Sequence, residues 1–366
     1  MASRRRAALA SVLALGTAAA LAATAPTSLA ASSAGRGVVI ADGLDDPWGV
    51  QSARGGHAGL VVAENAGKVT RVFLDGRKRT ILRDIPGVAG VAAGPKRVFA
   101  VIGGPNEEGS PSGGKYGPSR VVRMTYDGKR VKVIANLLRY ELRHNPDGQK
   151  QFVEGEPVDA LSNPFSMTWS RYGLFVADGG ANDVLRVNPS TGRVTTFFVP
   201  PTVKSTPECK APDANANPGT RGCDPVPTGV HVVGRSVYVS TLGAEAPGAG
   251  RIYKLNARTG KVQGVWRNLT APTGVAVRTN GTIFFSQVLH NAPAGPPGPG
   301  FDPADVGRIV RIKDGHRTVA PVTMPIGLLL KDGKLYSSSW SLAGAFLQMS
   351  GAGTIVRVAP TAFEEK

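Results

Sequence analysis

The feature that most constrains this 366-residue chain is a unit that returns six times. The copies read PWGVQSARGGHAGLVVAENAGKVTRVFLDGRKRTIL from Pro47, VAGVAAGPKRVFAVIGG…SRVVRMTYDGKRVKVI from Val88 and PFSMTWSRYGLFVADGGANDVLRVNPSTGRVTTFFV from Pro164. They continue as PTGVHVVGRSVYVSTLGAEAPGAGRIYKLNARTGKVQGVW from Pro227, PTGVAVRTNGTIFFSQVLHN…GRIVRIKDGHRTVA from Pro272 and PIGLLLKDGKLYSSSW…GTIVRVAP from Pro325. Each opens near Pro-x-Gly-Val, turns into a β-branched or aromatic run, crosses a polar loop and returns through x-x-(Val/Ile)-x-(Arg/Lys)-(Val/Leu/Ile). An Asp-Gly or Thr-Gly turn usually follows, so the unit reads as four short strands.

The third position of the unit falls at Gly49, Gly90, Ser166, Gly229, Gly274 and Gly327, separated by 41, 76, 63, 45 and 53 residues. Loop insertions explain the spread around a period of about 40 to 45 residues, the length of one propeller blade. A lone four-stranded sheet leaves both faces wet, so the units must stack radially and the ring must close. The expected fold is therefore all-β: a six-bladed β-propeller with four-stranded blades, in which Pro-Trp-Gly is primarily structural. With 47 Gly, 28 Pro and only 6% aromatic residues, frequent turns agree with that reading.

Closure is legible at the ends. The last copy supplies three strands before VRVAPTAFEEK, whereas GRGVVIADGL, Gly35 to Leu44, precedes the first copy without a partner there. Gly37 to Ala41 is thus predicted to be the outer strand of the sixth blade, which removes an unpaired rim. Deleting residues 31 to 42 should then destabilise the fold far more than deleting 361 to 366.

Upstream, MASRRRAALASVLALGTAAALAATAPTSLAASSAG has the basic start, apolar middle and small-residue end of a secretory signal. Residues 1–30 are assigned to a signal peptide and 31–366 to one propeller domain, with insertions at about 136–163, 200–226 and 291–305. An uncleaved anchor is the alternative, but the run is Ala-rich rather than Leu-rich, and no later segment is apolar for long enough to span a bilayer. The expected product is secreted or cell-envelope associated, and monomeric. Within the first insertion, Asn136 to Arg143 is expected to form a short helix stopped by Asn145-Pro146.

The formal charge of +17 falls to +14 once Arg4, Arg5 and Arg6 leave with the signal. Lys and Arg are scattered singly through strands and turns, without a basic arm or an aromatic-basic recognition pattern, which argues against nucleic acid. A basic outer face that favours anionic envelope material is the simpler reading. Cys209 and Cys223, the only two cysteines, are expected to form one disulfide closing a Pro/Asn/Gly-rich loop.

Candidate site residues come from the repeat geometry. In each blade the loop after the second strand rises on one face of the ring, and Glu64-Asn65, Asp178, Asn182-Asp183, Glu245 and Gln287-His290 all follow such strands. Glu64, Asn65, Asp178, Asn182, Glu245 and His290 are therefore expected to bind a ligand, convergence of loop residues over a rigid scaffold being how propellers make sites. Against this, Asn, Asp and Gly shape turns without any ligand, above all in DGGAND. His231, inside the apolar alternation GVHVVG, reads as packed or channel-facing. No serine sits in a Gly-x-Ser-x-Gly elbow, no catalytic residue is assigned, and no motif calls for a cofactor, although calcium or another divalent metal is compatible with the acidic loops.

YELRHNPDG, SNPFSM, VADGGANDVLRVNPSTGRV, VPTGV and GAGRIYKL, in this order, resemble the ScyD/ScyE family, exported proteins related to six-bladed NHL-type propellers. The resemblance spans nearly the whole mature chain and implies fold and export; the family carries no defined activity. The Pro-Trp-Gly opening is also similar to the first blade of soluble glucose/sorbosone dehydrogenases, yet their His base and calcium-ligand loops have no counterpart after Asn65. Gluconolactonase-like propellers need acids and amides around a divalent metal, a set that Glu64, Asn65, Asp178 and Asn182 imitate outside the matching motifs. The expected function is recognition of an extracellular or envelope ligand. The alternative is an enzyme at the central mouth, either a metal-assisted lactonase or hydrolase or a sugar-type oxidoreductase.

Overall fold

A computed structural model describes residues 37–105, 112–158 and 160–365, so the signal segment lies outside the described residues. Blade 1 comprises Pro47–Ser52, Leu60–Glu64, Lys68–Val72 and Lys78–Leu82, and blade 2 Val88–Ala93, Val98–Ile102, Arg120–Met124 and Lys132–Asn136. Blade 3 comprises Pro164–Ser170, Gly173–Asp178, Asp183–Val187 and Val194–Phe198, and blade 4 Pro227–Val233, Ser236–Thr241, Gly250–Asn256 and Val262–Leu269. Blade 5 is built from Val275–Val277, Ile283–Gln287, Arg308–Lys313 and His316–Ala320, and blade 6 from Leu328–Lys331, Lys334–Ser339, Gly353–Val358 and, out of sequence, Gly37–Leu44. All neighbours pair antiparallel, and first strands of consecutive blades touch all the way round, blade 6 returning to blade 1. The six-bladed β-propeller is as the repeat required.

The apolar runs of the second strands follow from burial on both faces. In Leu60–Glu64, Val61 and Ala63 join the cluster shared with blade 2, while Leu60 and Val62 join the one shared with blade 6. Val98 and Ala100 likewise face blade 1, and Phe99 and Val101 face blade 3. Strand side chains alternate, so a strand wedged between two blades needs apolar residues at every position. The glycine of Pro-x-Gly has an equally local cause. A Cβ at Gly49 would lie 2.9 Å from Gly90 Cα, one at Gly90 would lie 2.8 Å from Ser166 Cα, and one at Gly327 would lie 2.1 Å from the Trp48 oxygen. Backbones of adjacent innermost strands meet there, and a side chain would push the blades apart.

The closing strand pairs through Gly37↔Val358, Val38↔Arg357, Val39↔Val356 and Ala41↔Ile355, as expected, and runs on to Leu44↔Gly353. Polar contacts lock the same seam. Asp46 accepts from the Gly344 amide at 2.7 Å, and Asp45 bonds Lys68 at 2.6 Å and the Gly351 amide at 2.8 Å. The tail makes contacts of its own, its strand in blade 5 rather than blade 6. Glu364–Glu365 adds a fifth strand to blade 5 through Thr318↔Glu365 and Val319↔Glu364, and Phe363 packs on Phe284 with ring centroids 5.6 Å apart. A hydrophobic anchor, Ala362-Phe363, holds the tail in the cluster between blades 5 and 6.

In the first insertion a helix spans Leu137–His144, with the Asn136 side chain accepting from the Arg139 amide and Asn145 ending it in a left-handed conformation (φ 40°). In the second, Cys209 and Cys223 are disulfide-bonded and pack with Val203 and Ala249 against blade 4.

Candidate functional site

Because strands alternate in direction, the starts of first strands and the ends of second strands share one face of the ring. On that face the Trp48 and Phe165 rings stack, 5.8 Å apart and inclined by 14°, although blades 1 and 3 are not neighbours. Ala89, Val288, Val306, Met324 and Leu342 complete the cluster, with Phe301 of the third insertion packed against it. The Trp48 Nε1–H donates to the Ser341 oxygen at 3.0 Å, which satisfies the one polar atom of the ring system. The central mouth is thus roofed by apolar side chains from five blades, and Pro-Trp-Gly is part of the roof.

The expected site residues are distributed around this roof and tied down locally. Glu64 is 2% exposed; its Oε2 accepts from the Asp45 amide at 2.8 Å and its Oε1 takes the Thr70 hydroxyl. Asn65 donates its backbone N–H to Asp46 at 2.8 Å and its Nδ2 to Val88 at 3.4 Å. Asp178 is fully buried, and its carboxylate accepts from Ser162 Oγ and the Asn163 amide, both at 2.7 Å, and from the Ala181 amide at 3.3 Å. Burial pushes its pKa up to about 6 against those donors. Asn182 Oδ1 accepts from the Val226 amide and its Nδ2 donates to Asp147 Oδ2, both at 3.2 Å. DGGAND is therefore shaped by its own Asp, as a turn-forming role requires.

Glu245 and His290 sit in separate blades. Glu245 has φ 60° and a buried Oε1 without a hydrogen-bond partner, and desolvation raises its pKa to about 7. The His290 backbone oxygen accepts from the Gly307 amide at 2.7 Å. His231, on the innermost strand of blade 4, is kept neutral by desolvation, which lowers its pKa to about 4. The structure brings Asp178 and Asn182 into one loop and Glu64 and Asn65 into another. Among the described residues no three His, Cys, Asp or Glu side chains group to hold a metal ion. Glu64, Asp178 and Asn182, three of the four residues that imitate a lactonase metal set, spend their side-chain oxygens on protein donors, which leaves no complete set for such a metal at the mouth.

Two features escaped the sequence reading. The first is a cleft of about 510 Å³ between blades 5 and 6, lined by Arg278, Arg311, Lys313, Lys334 and Arg357 together with Phe284 and Phe363. Arg278 lies over Phe284 at 5.3 Å and donates to the Gly333 oxygen at 3.1 Å, while Arg311 lies over Phe363 at 4.7 Å. None of the lining residues is acidic. The second is Asp183, fully buried, with neither carboxylate oxygen hydrogen-bonded. Its signal was in the repeat: the column at the start of the third strand holds Lys68, Arg120, Arg251 and Arg308 in blades 1, 2, 4 and 5, and an acid in blade 3.

No family model matches the chain, and no curated protein matches it. Solved structures do. A gluconolactonase of Xanthomonas campestris is similar with a TM-score of 0.52 at 12% identity, over 90% of this chain and 93% of the other. The PQQ-bound aldose sugar dehydrogenase of Streptomyces coelicolor gives 0.52 at 16% identity, over 88% and 96%. A protein of unknown function from Bacteroides thetaiotaomicron gives 0.52 at 12% identity, over 88% and 76%. At these identities the likeness is one of fold.

Proposed function

We propose that this chain is an exported six-bladed propeller of the ScyD/ScyE kind that binds an anionic polymer of the cell envelope or extracellular space in the cleft between blades 5 and 6. The carrying observation is the lining itself: five cations and two aromatic rings with no carboxylate among them. Arg278 and Arg311 are held in place by the rings beneath them, so less conformational entropy is lost when they meet a phosphate, sulfate or carboxylate. Of the acids adjacent in sequence to the lining, Asp332 pairs with Lys331 at 2.7 Å, and Glu364–Glu365 forms the added strand.

Gluconolactonase and aldose sugar dehydrogenase activities belong to proteins of similar fold. An enzyme of either sort needs open polar groups over the axis, where this chain sets Trp48, Phe165 and Leu342. Recognition is therefore the better supported reading.

Dextran sulfate and uncharged dextran serve as probes in a binding titration at several salt concentrations. Dextran sulfate should bind with a steep loss of affinity as salt rises, uncharged dextran should not bind, and Arg311→Ala with Lys334→Ala should weaken binding about tenfold or more. Removing Arg79 and Arg193 from other blades should leave affinity within about twofold. Equal losses from both pairs of substitutions would show that binding follows net charge alone, and the cleft would be dismissed.

A further inference from the structure

One column of the repeat, at the start of the third strand beside the end of the second, holds a cation in four blades: Lys68, Arg120, Arg251 and Arg308. Lys68 stands opposite Glu64 and bonds Asp45; Arg251 stands opposite Thr241; Arg308 stands opposite Gln287 and donates to its Oε1 at 2.5 Å. Arg120 donates to Asn136 Oδ1 at 2.8 Å. In blade 3 the facing pair is Asp178↔Asp183, two carboxylates directly across a hairpin and both fully buried. Like charges so placed repel, and a buried carboxylate without a partner is among the costliest arrangements a fold can hold.

Asp178 is saturated by its donors, and Asp183 has none. The charged groups that raise its pKa are acids: Asp178, Glu141 and Asp147. Two amide oxygens in the insertion wrapped over this end of the blade share its condition. Asn145 Oδ1 and Gln149 Oε1 are buried without hydrogen-bond donors. Their orientation is set by the opposite ends of the amides, since Asn145 Nδ2 donates to the Gln149 oxygen at 2.8 Å and Gln149 Nε2 to Asp224 Oδ1 at 2.6 Å. The Gln149 amide donates to Asp147 Oδ1 at 2.9 Å, and Asp147 Oδ2 accepts from Asn182, the neighbour of Asp183, which joins the insertion to the hairpin. A flipped amide would lose these bonds.

We propose that this end of blade 3 binds a hard divalent cation, calcium in preference to zinc, through both oxygens of Asp183 and the side-chain oxygens of Asn145 and Gln149, within a wall of further carboxylates. A proton on Asp183 would remove its charge, but its single O–H could serve only one of the two amide oxygens and would leave the other undonated. A cation answers all four oxygens at once. Carboxylate and amide oxygens with no imidazole or thiolate are the ligand class of calcium, and a shell drawn from a hairpin and a separate insertion suits its irregular coordination better than the strict octahedron of magnesium. The insertion would then be fastened by the ion.

The test uses the full mature chain after dialysis against a chelator, titrated with calcium chloride by calorimetry and followed by thermal unfolding. One calcium per chain is expected, with a midpoint raised by roughly several degrees, and magnesium chloride should act more weakly. Asp183→Asn should abolish both the binding heat and the calcium-dependent rise, while its metal-free midpoint equals or exceeds that of the parent because an unpaired buried charge is gone. Gln149→Ala, on the insertion, should fold and bind calcium about tenfold or more weakly. Absence of heat and of any shift in the parent, or a full calcium response in Asp183→Asn, overturns the proposal. Dextran sulfate binding should be the same in Asp183→Asn as in the parent, which keeps this result separate from the cleft.

Discussion

If Gly37–Leu44 closes the ring, two residues of that strand should differ sharply in their tolerance of truncation. Leu44 is 1% exposed and packs with Ala41, Val50, Leu60, Val62, Val72, Leu329, Tyr336 and Ile355, residues of blades 6 and 1. Leu44→Ala removes three buried carbons and opens a cavity at a seam whose backbone is fixed by pairing on one side and by Asp45 and Asp46 on the other. Buried Leu→Ala changes cost about 2 to 5 kcal/mol, and a rigid seam belongs in the upper half of that range. Val39, on the same strand, is 37% exposed, and Val39→Ala should cost less than about 1 kcal/mol. At roughly 2 °C per kcal/mol for a chain of this size, the melting midpoint should fall by about 7 to 10 °C for Leu44→Ala and by less than about 2 °C for Val39→Ala. Thermal unfolding followed by circular dichroism reads both. Matching midpoints for the two variants would mean that the strand does not close the ring in solution. The truncations extend the test: loss of residues 31 to 42 removes the pairs from Gly37↔Val358 to Ala41↔Ile355. Loss of 361 to 366 should also lower the midpoint, by a smaller amount, because the half-buried Phe363 leaves its place on Phe284.

The Cys209–Cys223 pair should be found bonded by mass spectrometry under non-reducing conditions, and replacing both by Ser should cost about 3 kcal/mol for a loop of this length; two free thiols in exported protein would count against it. Trp48→Ala should cost about 3 to 5 kcal/mol, since it empties the roof and strands the Ser341 carbonyl, whereas unchanged stability would remove the roof from the account. Glu245 has a folded pKa of about 7 against an ordinary 4.5, so the fold binds its proton more tightly than the unfolded chain does. Its contribution is fully present below about pH 4.5 and is lost as pH rises through about 7; Glu245→Gln should flatten that part of the stability profile. His231 works in the opposite sense, losing stability as pH falls from 6.5 toward about 4, so only the difference between parent and Glu245→Gln isolates the carboxyl.

What the sequence disclosed and what it hid follow from the range of the interactions. The blades were legible because each position of Leu60–Glu64 or Val98–Ile102 answers to a neighbouring sheet, so the apolar run is written into every copy. The Pro-x-Gly glycine was legible for the same reason, although its cause, contact with the next blade's backbone, needed coordinates. The mouth was not legible, because Trp48 and Phe165 belong to different copies and nothing local to either says that they stack across the axis. Residues chosen for their strand-end position also act as anchors: Glu64 holds the seam through Asp45, and Asp178 holds its own turn. The cleft was hidden in plain composition, since Arg278 and Arg311 come from blade 5 and Lys334 and Arg357 from blade 6, each a single cation in its own strand or turn. Asp183 differs from all of these. Its anomaly lies at one column of the repeat, where Lys68, Arg120, Arg251 and Arg308 carry the opposite charge, and a comparison among the six copies is enough to expose it. Departure from the repeat is the informative signal in a fold whose repeats are dictated by packing, because packing explains every residue that conforms and none that reverses charge in a buried place.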